Sequence, residues 1–107
     1  MNESEFNKLA QAALDAITNA IDACELDCDV EHKGDGVLDI TLENGTRVIV
    51  NRHSAAREIW VAAKSGGYHF RHDGSNWVNT RDGSELFISI SDCLSEQSGR
   101  RIVLGPH

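Results

Sequence analysis

A chain of 107 residues with 40% hydrophobic and 25% charged side chains has the size and composition of one soluble domain with a single core. No apolar run in it approaches the roughly 20 residues of a membrane helix, which excludes a helical bilayer span. The net charge of −7 is concentrated: residues 1–31 hold eight acids against the one base Lys8, while the rest of the chain balances nine acids with nine bases. Such an asymmetry repels nucleic acid and favours cations or a basic protein partner. The start, Met1-Asn2-Glu3-Ser4-Glu5-Phe6, is acidic. It lacks the basic region of a signal peptide and the arginines of a transit segment, so a cytoplasmic location is expected. Three cysteines, Cys24, Cys28 and Cys93, fit a reducing compartment better than a disulfide framework.

From residue 6 to 24 the apolar positions Phe6, Leu9, Ala10, Ala13, Leu14, Ile17, Ala20, Ile21 and Cys24 recur in steps of three and four. That spacing predicts an amphipathic helix, and Asn2 with Glu5 forms a capping pair at its start. The period then changes to two. Residues 27–32 read as a strand with Asp27, Asp29 and Glu31 on one side, and Lys33-Gly34-Asp35-Gly36 as a turn. Leu38, Ile40 and Leu42 alternate with polar residues in a second strand, Asn44-Gly45 marks a hairpin, and residues 47–51 return as the third. Further strands are expected at 58–62, 68–72 and 76–80. A last helix should begin near Asp82 or Ser84, run through Leu86, Phe87, Ile90 and Leu94, and stop at Gly99. The pattern predicts an α+β two-layer sandwich in a single domain over residues 1–107, with two helices on one face of a mainly antiparallel sheet of about six strands.

Between Asp22 and Glu31 five carboxylates (Asp22, Glu25, Asp27, Asp29, Glu31) stand with no base among them. Oxygen donors of this kind suit hard cations such as iron, and a bound cation relieves the repulsion between like charges. The spacing matches no tight coordination motif, so any binding should be weak and shared; the bland alternative is a solvated face that keeps the protein soluble. Cys24, Cys28 and His32 stand four apart, but helix and strand do not keep that spacing on one face, and no zinc site is expected. Period two places Glu58, Trp60 and Ala62 on one strand face, opposite Ile59 and Val61. With Glu58 expected in solvent, Trp60 should lie exposed on the helix-free side as an interface anchor; a core tryptophan in a slipped register is the alternative. Trp77 is assigned to the core, and His53, His69, His72 and His107 to the surface. No phosphate-cradling loop, nucleophile elbow or paired-histidine motif is present, so the chain reads as a binding module and not an enzyme.

Several stretches resemble the bacterial frataxin family. They are the opening Met1-Asn2-Glu3-Ser4-Glu5-Phe6, then Thr41-Leu42-Glu43-Asn44-Gly45-Thr46 with Val48-Ile49-Val50-Asn51-Arg52. The most specific is Ile59-Trp60-Val61-Ala62-Ala63-Lys64-Ser65-Gly66-Gly67-Tyr68-His69-Phe70, and the similarity continues through Trp77 and Asp82-Gly83. The resemblance implies a protein of iron–sulfur cluster assembly that binds Fe2+ or Fe3+ weakly on an acidic ridge, here Asp22, Glu25, Asp27, Asp29 and Glu31 with Asp15 peripheral. It implies contact with a cysteine desulfurase and an iron–sulfur scaffold protein, by a monomer able to form iron-dependent oligomers. Relatives are more acidic where Thr18, Asn19 and Ala23 stand, and often carry histidine where Asn7 stands, which implies a sparser ridge here. Trp60, with Asn51 and Arg52 nearby, is the expected partner-binding surface. Two other readings remain: a ferroxidase or iron store formed by oligomers, and an electrostatic adaptor that meets a basic partner without metal.

Overall fold

The computed structural model describes residues 1–104; His107 lies outside the described residues. Helix α1 spans Glu3–Ala23 and begins as its sequence requires. The Asn2 side-chain oxygen accepts the amide of Glu5 at 2.8 Å, and Glu3 and Glu5 in the first turn suit the positive end of the helix dipole. Phe6, Ala10, Ala13, Leu14, Ile17 and Ile21 form the buried stripe, with Ala20 and Cys24 packed partly against the core. Leu9 sits at the stripe's margin and is exposed.

The strands are β1 (Cys28–His32), β2 (Val37–Leu42), β3 (Arg47–His53), β4 (Glu58–Ala63), β5 (Gly66–His72) and β6 (Trp77–Asn79). They lie side by side in chain order and every neighbouring pair is antiparallel. Register aligns the apolar residues of successive strands: Val30 opposite Ile40, Ile40 opposite Val48, Val50 opposite Val61, Ile59 opposite Phe70. Facing residues project to the same side of a sheet, so these pairs build one apolar surface. That surface joins α1 and α2 (Leu86–Ser98) in a single core cluster, which places both helices on the same face. Trp77 belongs to this core, its ring edge-on to Phe6 at 5.9 Å.

Helix α2 starts later than the sequence suggested. Val78 bridges to Glu85, which keeps the chain extended to that point, and the Glu85 carboxylate then caps the amides of Phe87 and Ile88. Asp82 instead accepts the Ser84 amide and hydroxyl within its own turn. The helix ends at Gly99, whose φ of 72° is the left-handed conformation that releases a helix most easily at glycine. Beyond it, Ser95 and Ser91 hold the backbone of Ile102 and Leu104, so these two apolar side chains add to the core. No helix among the described residues is long and apolar enough to cross a membrane.

Candidate functional site

The acidic residues gather where α1 ends and β1 begins. Asp22 lies in the last turn of α1, Glu25 and Asp27 in the connection, and Asp29 and Glu31 alternate along β1, an edge strand with one neighbour only. All five side chains are exposed, and none takes part in an ion pair among the described residues. Asp15, two helical turns earlier, is exposed and accepts a hydrogen bond from Gln11 at 3.0 Å. Glu25 has φ of 55°, so the chain reverses sharply between helix and strand and brings Asp22 toward the β1 acids. The proximity registers on Cys28: burial pushes its thiol up, and Cys24, Asp29, Asp22 and Asp27 add to the rise. Among the described residues no group of three or more His, Cys, Asp or Glu side chains converges to hold a metal ion, Cys24, Cys28 and His32 included. What the margin offers is a row of hard oxygen donors on a hinge of helix and strand. It suits a hydrated cation shared between carboxylates.

A second constellation occupies the helix-free face of the sheet. Trp60 is half-buried there, and Asn51 and His69 stand opposite it on β3 and β5. Its ring lies between two imidazoles, His53 at 3.9 Å and 13° on one side and His69 at 4.4 Å and 8° on the other. Glu58 departs from the sequence reading: it is not in solvent but 7% exposed. Its carboxylate accepts the Trp60 indole N–H at 2.8 Å and the Arg71 Nε–H at 2.8 Å, with His69 Nδ1 3.6 Å away. Burial alone would raise its pKa. The Trp60 and Arg71 hydrogen bonds, with the charges of Arg71 and His69, outweigh that and hold it below the usual carboxylate range. His53 and His69 are therefore not free surface imidazoles, and His72 packs edge-on against Trp77.

Arg52 is separated from this group. It faces Ile59 across the sheet, so alternation points it to the other face from Trp60 and Asn51. Its guanidinium packs over Gly36, where a Cβ would come within 2.9 Å of Nε, and pairs with Asp35 at 2.9 Å. Beside the Trp60 group, Asp39 is the other buried carboxylate of the helix-free face, gripped by Arg47 and by Lys33 at 2.8 Å. The Arg47 hydrogen bonds first, then that of Lys33, overcome burial and keep its pKa far below the usual range.

The comparisons with known proteins agree with this architecture. A model of the frataxin-like domain matches residues 1–100. The iron-sulfur cluster assembly protein CyaY of Dechloromonas aromatica is 51% identical over 104 residues, covering 97% of this chain and 99% of that protein. The protein of the same name from Herminiimonas arsenicoxydans is 48% identical over 108 residues, covering 97% of this chain and 96% of its own length. The frataxin of Psychromonas ingrahamii superposes with a TM-score of 0.91 at 27% identity, over 99% of this chain and all of its own. A trimeric yeast frataxin from Saccharomyces cerevisiae, complexed with ferrous iron, superposes with a TM-score of 0.63 at 24% identity, covering 95% of this chain and 87% of its own; that likeness concerns the fold. With a family model spanning nearly the whole chain, relatives at half identity and the same helix-meander-helix order, this chain belongs to the frataxin family.

Proposed function

We propose that this chain serves iron–sulfur cluster assembly by carrying iron weakly on its acidic margin and docking on a cysteine desulfurase and its scaffold protein. The observation that carries the reading is the row of exposed carboxylates, Asp22, Glu25, Asp27, Asp29 and Glu31, without ion-pair partners among the described residues, on one edge. Solubility alone does not call for clustering acids into a single-sign field, and the rest of this chain disperses its acids among bases. Unpaired, they hold a cation loosely enough to pass it on, and they steer the domain toward a basic surface. Asp15 extends the margin. Trp60 and Asn51, on the helix-free face, supply the short-range contact. The names of the curated relatives place them in iron–sulfur cluster assembly, which supports the pathway.

Anaerobic iron(II) titration at physiological salt, followed by NMR line broadening and repeated with desulfurase present, tests the reading. Broadening confined to residues 22–31, weak affinity and a ternary complex support it. Iron-driven oligomers that consume oxygen would favour the ferroxidase reading, and a desulfurase complex indifferent to iron would favour the electrostatic adaptor.

A further inference from the structure

Strand β1 ends the sheet on one side, and its hydrogen-bond alternation fixes which of its backbone groups are taken. The Lys33 amide donates to the Val37 carbonyl at 3.0 Å, so these two form a hydrogen-bonded pair; Glu31 with Asp39 and Asp29 with Thr41 are the next ones along the ladder. The N–H and C=O groups of Cys28, Val30 and His32 therefore point away from β2. No strand lies beyond them, and no turn or side chain among the described residues takes them up. The same three residues line a groove of about 350 Å³ between β1 and the end of α1. Ile21 and Leu26 form its floor, and the exposed Asp22 and Glu25 its rim. On the opposite face of the strand stand Asp29 and Glu31, both exposed.

We infer that this edge takes up an extended segment of a protein partner as a further strand of the sheet, a segment whose side chains alternate between apolar and basic. It rests on the reading that the acidic margin meets a basic partner, and it adds how the contact is made. Residues opposite each other on neighbouring strands project to the same face. A side chain set against Val30 enters the groove, and its neighbours along the segment come beside Asp29 and Glu31, where lysine or arginine meets a carboxylate that has no ion pair among the described residues. Glu31 acts on Arg47, but Asp39 already holds that guanidinium. In strand addition the backbone ladder supplies affinity and the alternate side chains supply selection. Charged side chains guard an edge against indiscriminate pairing, and charges of one sign make the guard selective. A second copy of this chain is turned away, because its β1 would set acid against acid.

The test is an NMR titration of the full chain at low salt with a short peptide of alternating lysine and valine, and with two versions of it N-methylated either on every valine or on every lysine. Only one set of alternate amides can face β1, so the two methylated peptides carry equal charge but differ in the ladder they allow. The unmodified peptide should bind and slow exchange of the Val30 and His32 amides several-fold, while those of Asp29 and Glu31, already bonded to β2, change little. One methylated peptide should bind about tenfold more weakly, through the loss of two backbone hydrogen bonds, and the other nearly as the unmodified one. His32→Pro deletes one outward N–H of the edge strand at an exposed position, and should weaken the unmodified peptide several-fold. Its fold is checked by its amide spectrum, and if it does not fold the methylated peptides decide alone. Methylated peptides that bind alike, or Val30 and His32 amides left unprotected in the complex, would overturn the inference and leave the charge-steering reading standing. No binding by any of the peptides would remove both.

Discussion

Glu58 Oε1 accepts the indole N–H of Trp60 at 2.8 Å, so a carboxylate and a tryptophan two residues apart on one strand hold each other's position. The contact explains how a carboxylate can be buried on the solvent side of a sheet: Trp60 and Arg71 occupy both of its oxygens. Glu58→Ala should cost about 1–3 kcal/mol, because it strands a half-buried indole N–H and loosens Arg71. Glu58→Gln, which keeps an acceptor for Trp60, should cost less. Urea denaturation of the two variants checks the order, and equal losses would mean that the charge, not the Trp60 contact, matters.

The pH dependence of stability has a definite sign. Asp39 and Glu58 both have folded-state pKa values below their unfolded values, Asp39 chiefly through its hydrogen bonds to Arg47 and Lys33. Their contribution is therefore fully present above the unfolded carboxylate pKa, about 4, and is lost as pH falls through the lowered folded values. Stability from this source should be flat from neutrality to about pH 5 and then decline. Asp39→Asn should lower stability at neutral pH and make the acid decline shallower. Melting temperatures across the acid range decide it; an acid slope unchanged in Asp39→Asn would remove Asp39 from the account.

Charge reversal on the margin should separate binding from folding. Asp22→Lys with Asp27→Lys removes two members of a crowded anionic row in which neither residue has an ion-pair partner among the described residues. Relief of repulsion leaves the melting temperature level or slightly raised, while iron affinity falls several-fold and the rest becomes less sensitive to salt. Isothermal titration beside a thermal melt gives both quantities. A double variant that unfolds, or binds iron as before, would count against the margin.

How much of this was legible in the sequence depends on the range of the interactions. The α1 stripe was readable because Phe6, Ala10, Leu14, Ile17 and Ile21 lie one helical turn apart and need no knowledge of other elements. Strand alternation correctly put Glu58 and Trp60 on one face. Burial of Glu58 was not legible, since it depends on β5 being paired so that His69 stands opposite Trp60 and Arg71 reaches back to Glu58. The same lack of register hid the His53 stack, and it placed Arg52 beside Trp60 when the two point to opposite faces. The acidic margin was visible as a run of charge. That none of its carboxylates forms an ion pair among the described residues could be read only once the fold was in place: Arg47, close enough to feel Glu31, is held by Asp39.

The last prediction concerns Trp60 itself. Its ring is half-buried and packs against two imidazoles, so Trp60→Ala removes a cross-strand stack worth about 1 kcal/mol. It also takes the indole donor from the buried Glu58 carboxylate, a further loss of about 1–3 kcal/mol that Arg71 limits by keeping its own hydrogen bond. The sum is less than the roughly 5–15 kcal/mol of a domain, and the core beneath, with Ile59 and Phe70 fully buried, does not use the ring. The variant should therefore fold, with a modestly lower melting temperature. In binding, truncating an aromatic at the centre of an interface costs about 2 kcal/mol or more, roughly a thirtyfold weaker complex. Because the indole acts only at short range, that loss should appear as faster dissociation with the association rate nearly unchanged. Margin reversals such as Asp22→Lys should behave in the opposite way, slowing association in a manner that added salt masks. Surface-plasmon kinetics on immobilised desulfurase–scaffold complex separates the two. Trp60→Ala dissociating at the parent rate would falsify docking through this face, and a loss confined to association would mean that the ring acts through the charges around it and not by contact.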